Sequence, residues 1–138
     1  MIRGRESRVI RGWALLDLVV TALFALPPLA VVFIKLLYAL NGLAGGSPAG
    51  PSFDAVHWFF TCLAGALGVA WAIARLMEPV RTLGLIDAFA RLWVAALIGW
   101  FVFSRGAPVV LLAFLATELG GAFHQLWALR RPARDARW

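Results

Sequence analysis

The chain has 138 residues, 62% of them hydrophobic and only 14% charged, and a formal net charge of +6. In water so much apolar sequence would leave large exposed patches, so the composition excludes an ordinary soluble domain and makes the lipid bilayer the natural solvent. The basic residues flank the apolar blocks instead of lining one face, which argues against nucleic acid as a partner, and Cys62, the single cysteine, excludes a disulfide framework or a Cys-based zinc site within one chain.

Arg3, Arg5, Arg8 and Arg11 precede the first apolar run and imitate a secretory signal. The run extends over residues 12–40, beyond a signal core of about 7 to 15 residues, and is predicted as a retained first span. Pro27 and Pro28 interrupt it, removing backbone hydrogen bonds, so this long helix is predicted to kink there. Freed carbonyls at such a break either serve packing or line a site, as in the broken helices of transporters. Asn41-Gly42, Gly45-Gly46-Ser47-Pro48 and Gly50-Pro51-Ser52 then form a polar loop.

The second span is predicted over 56–76. Thr61, Gly65, Gly68, Ala72 and Arg75 recur on one of its faces, a narrow stripe of small residues that reads as a packing face ending in a charge at the membrane rim. Glu78-Pro79 breaks the chain before a third span at 82–103, and Ser104-Arg105-Gly106 turns it into a fourth at 108–129, where Pro108 suits a first helical turn. Gly120 and Gly121 give this last span a second small patch, either for close packing or to let another group approach the Glu118 carboxylate. The fold class expected is all-α: one domain over 1–138, a bundle of four antiparallel transmembrane helices with short loops and basic tails.

Arginine placement sets the orientation. The amino-terminal tail, the loop with Arg75 and Arg81, and the tail with Arg130, Arg131, Arg134 and Arg137 share one side if the number of crossings is even, leaving Arg105 and Lys35 for the other. By the positive-inside rule the basic side is cytoplasmic, with both termini there, and Trp13 and Trp127 versus Trp58 and Trp100 mark the two interfaces. Arginine and alanine richness points to a bacterial source, hence to the inner membrane.

Ionisable groups inside apolar spans are costly unless paired or solvated, so they are the candidate site. Helical rise puts Arg91 and Glu118 near one level, and Asp17, Asp87 and His124 somewhat nearer the cytoplasmic ends. Arg91 keeps its proton and needs acceptors; Asp87 at the i,i+4 position and Glu118 across an interface are predicted to supply them. Thr21, one turn beyond Asp17, adds a hydroxyl. With Arg91 as the sole permanent cation, the acids are in surplus, and an unpaired acid can carry a proton or hold a cationic ligand. No ligand pair has metal-site spacing, and His57 and His124 fall at opposite ends, so neither metal nor haem nor any other cofactor is expected.

Soluble-type catalytic motifs are missing from the sequence. The reading is a non-enzymatic accessory or scaffolding protein, binding a second copy of itself or a larger membrane protein, with the charged cluster organising its core. A small homo-oligomeric proton-coupled transporter with a cationic or lipid-soluble ligand is the alternative, and a membrane-embedded enzyme on a lipid-soluble substrate stands third.

Overall fold

The computed structural model describes residues 4–130, which are helical apart from short connections. Five helices follow in order: α1 (Gly4–Ala25), α2 (Pro27–Leu43), α3 (Ala55–Met77), α4 (Arg81–Arg105) and α5 (Leu111–Leu129). The long kinked first helix of the sequence reading is instead two helices, α1 and α2, that meet at 105°. Leu26 is extended between them at φ −111° and ψ 120°, as a residue before proline prefers, and Pro27 and Pro28 take the first positions of α2, where a missing N–H costs nothing. Helix α1 also begins at Gly4, well before residue 12, so most of the arginine-rich segment is helical.

Helices α3 and α4 are each long and apolar enough to cross a membrane, and α1 with α2 passes that test only as a bent pair. That makes two or three candidate crossings, against four in the sequence reading. Helix α5 has 19 residues, among them Glu118, His124 and Gln125, and is not one of the helices that pass that test.

The packing is the reverse of a soluble core. Buried apolar positions are mostly alanine, at 14, 30, 72, 88, 95 and 122, while Phe59, Phe60, Phe89, Trp93, Trp100, Phe101 and Phe103 all point outward. Small residues inside and large apolar ones outside are what helices packing in lipid require, since no hydrophobic gain separates helix contact from lipid contact.

Two antiparallel pairs make up the body. In the first, α1 lies on α3: a Cβ added at Gly68 would meet Thr21 Cβ at 2.8 Å, and one at Gly65 would strike the backbone of Phe24 and Ala25. Gly65 lies near the middle of α3, so the end of α1 falls about halfway along α3, where α2 turns away. In the second pair α5 lies on α4, with Leu115 beside Gly99 and Arg91 beside Gly121. Ile10 of α1 and Leu129 of α5, both fully buried, meet over Gly84 of α4 and close one end of the body.

The other end is tied by Asn41, only 4% exposed, at the end of α2. Its amide donates to Ser47 O at 2.9 Å and its Oδ1 accepts from Val110 N at 3.4 Å, joining the polar loop to the α4–α5 turn. Gly106, at φ +66°, ends α4 in the left-handed conformation that a side chain rarely adopts.

Asp54 caps α3, accepting from Val56 N at 2.9 Å and His57 N at 3.0 Å, with His57 Nδ1 at 2.7 Å from the same oxygen. The His57 backbone N–H first, then the His57 ring, hold this carboxyl below its ordinary value. A depressed pKa stabilises the fold fully above the unfolded value of about 3.9 and loses that contribution as pH falls through the folded one. The Val56 and His57 amides are therefore expected to lose exchange protection only below that value, and Asp54→Asn, which caps without titrating, to flatten the dependence.

Candidate functional site

Five ionisable side chains from four helices converge in one layer. Arg75 of α3 is fully buried, and Asp87 and Arg91 of α4 are 3% and 4% exposed. Asp17 of α1 and Glu118 of α5 each keep about a fifth of the side chain accessible, 20% in both cases.

Arg91 is the hub. Its Nε donates to Asp87 Oδ2 at 2.9 Å, its Nη1 to Glu118 Oε2 at 3.1 Å, and its Nη2 to Asp17 Oδ2. Each nitrogen of the guanidinium fork thus has a carboxylate, and the fixed plane of arginine is what lets one side chain reach three helices. Glycine at 121 makes the room: a Cβ there would lie 3.1 Å from Arg91 Cδ.

Arg75 is the second cation. Its Nη2 donates to Asp17 Oδ2 at 2.6 Å, and its Nη1 lies 2.6 Å from Asp87 Oδ2, a charge contact without hydrogen-bond alignment. Asp87 is closed from the remaining sides by Trp71 Nε1 at 2.9 Å on Oδ1 and Gln125 Nε2 at 2.7 Å on Oδ2. The Arg75 guanidinium also lies 5.5 Å from the Trp71 ring centroid, and that of Arg91 5.1 Å from the Trp13 ring. Buried charges are tolerated when paired and hydrogen-bonded in this way.

Asp17, Asp87, Arg91 and Glu118 thus lie in one network. Thr21 and His124 do not join it. The Thr21 hydroxyl donates to Asp17 O of its own helix at 2.7 Å and turns its methyl toward Gly68. His124 is exposed, accepting from Trp13 Nε1 at 3.3 Å with the two rings edge to face. Gly65, Gly68 and Ala72 face α1 or the interior, Gly121 faces Arg91, and Gly120 meets nothing within 4 Å. Three members were missed in the sequence: Arg75, Gln125 and Trp71. Arg75 also revises the charge balance, because the three acids face two permanent cations and not one. No trio of His, Cys, Asp or Glu among the described residues is placed to hold a metal ion.

A cavity of about 550 Å³ opens beside the layer, between α3 and α4 with Phe24 of α1 at its side, walled also by Ala64, Gly65, Ala90 and Val94 and floored by the ion network. A smaller one of about 200 Å³ lies between α1 and α5, where Asp17 and Glu118 appear again beside Thr117. No family model matches the chain, and neither a curated protein nor a solved structure matches it.

Proposed function

We propose that this chain is a small, non-enzymatic membrane protein, an accessory or scaffolding module whose two helix pairs are locked together by the buried ion layer. The observation that carries the reading is that both arginines touch both aspartates. Asp17 belongs to one pair and Asp87 to the other, so the layer acts as a clasp, and polar contacts of this kind set which helices associate in lipid.

In this reading the chain crosses a bacterial inner membrane four times with both termini in the cytoplasm, α1 and α2 together forming one broken crossing. Two features support it: α2 delivers the chain to the α4–α5 turn, opposite the arginine-rich start of α1, and Arg5 sits over Trp127 at that arginine-rich end, 4.7 Å from the ring centroid. A reporter that is active only in the cytoplasm is expected to work when fused after Trp138, and activity solely with a periplasmic reporter would refute the even count.

The partner in this reading is a second copy or a larger membrane protein. Native mass spectrometry after mild detergent extraction is expected to give a complex of fixed stoichiometry that Glu118→Gln leaves assembled. A small proton-coupled transporter is the second reading, favoured by the cavity that the network floors. It requires instead a homo-oligomer that Glu118→Gln leaves folded but without pH-dependent flux. A monomer retaining only lipid would overturn the scaffold.

A further inference from the structure

We propose that the cleft between α3 and α4 binds an amphiphilic ammonium compound, an aliphatic chain ending in a protonated primary amine. The inference goes beyond the scaffold reading and holds whether or not the chain moves its ligand.

Donor and acceptor counts at the floor decide the head group. Each nitrogen of Arg91 already donates to a carboxylate, and both oxygens of Asp87 are taken. The bonds to Asp17 and Glu118 all fall on Asp17 Oδ2 and Glu118 Oε2, so Asp17 Oδ1 and Glu118 Oε1 have no donor among the described residues. These are also the two acids of the layer that stay partly accessible, and both line the cleft. Arg75 Nε and Nη1, which have no hydrogen-bond partner, are buried away from the cavity. The floor therefore offers two accessible acceptors and one excess negative charge, while the arginines that pair with it are 0% and 4% exposed. An anion would meet net negative charge there, whereas an ammonium gains both a charge contact and N–H donation to two carboxylates.

The walls decide the rest of the molecule. Phe24, Ala64, Ala90 and Val94 are apolar, and a volume of about 550 Å³ lies within the range of small-molecule sites. Backbone contact between α3 and α4 is slight, so the cleft stands open sideways between the two helices best able to span a membrane. An aliphatic chain can reach it from the bilayer while its head meets the ion layer. Small side chains at 64, 65, 68 and 90 keep that path open.

The test is native mass spectrometry of the full chain in mild detergent with three probes of one chain length: dodecylammonium, dodecyltrimethylammonium, which has charge but no N–H, and dodecanol. Dodecylammonium is expected to be retained at least about tenfold more tightly than either of the others. Glu118→Gln and Ala90→Phe are each expected to abolish that preference, the first at the floor and the second by filling the cleft from an exposed position beside Arg91 whose own side chain takes no part in the ion network. If Glu118→Gln does not fold, Ala90→Phe decides alone. Equal retention of the three probes, or a preference that survives Ala90→Phe, would overturn the site. Neither result depends on the partner or flux measurements.

Discussion

Arg75→Met is expected to destabilise the folded chain by about 3–5 kcal/mol, the range for breaking one side of a buried ion pair. Methionine fills much of the volume, so the loss is one of charge. Asp17 and Asp87 would be left sharing Arg91 alone, with three buried or half-buried acids against one guanidinium. Arg75→Lys is expected to rescue only partly, because a single ammonium cannot span Asp17 and Asp87 as the arginine fork does. Adding Asp17→Asn to Arg75→Met restores the balance of charge and is expected to recover part of the loss. Unfolding in mixed micelles, followed by far-ultraviolet circular dichroism, reads all three.

Gly65→Ala and Gly120→Ala are expected to move stability in opposite directions. At Gly65 the new methyl would fall against Ala25 N and Phe24 C, with Ala25 Cα at 2.8 Å. These are backbone atoms that cannot swing aside, so α1 and α3 must part, at a cost of about 1–3 kcal/mol as for other overpacked sites. At Gly120 nothing lies within 4 Å, and alanine there should gain about 0.5–1 kcal/mol from helix propensity. The same unfolding assay separates them, and equal effects would remove the close α1–α3 contact from the account.

The helices and their breaks were legible because proline, glycine and the apolar runs act locally. Leu26 had to leave the helical region before Pro27, but the 105° that follows is set at a distance, where Asn41 is held at the α4–α5 turn. The early start of α1 was hidden by its arginines, which hydropathy rejects although arginine is a good helix former. Once α1 is extended, Ile10 falls at Gly84 and Arg5 at Trp127.

In the ion layer, membership follows direction around a helix as well as depth along it. His124 shares a level with Asp17 in the sequence, yet it stands six residues after Glu118, about 240° around the helix, and so faces away. Gln125 stands seven residues after Glu118, within about 20° of it, and reaches Asp87. Arg75 was on the page in the same way: the stripe through Gly65, Gly68 and Ala72 ends on it, so the face that packs on α1 carries the guanidinium inward to Asp17. Nothing local marks the Thr21 hydroxyl for its own backbone or the Trp71 indole for Asp87, since both depend on which helices meet.

A double-mutant cycle between Asp17 and Arg91 bears most directly on the claim that charge clasps the two helix pairs together. Asp17→Asn, Arg91→Gln and the pair, unfolded under one set of micelle conditions, are expected to give a coupling of about 1–3 kcal/mol, as for residues in one ion network. Strict additivity would mean that α1 and α4 do not meet through these side chains, and would contradict the account.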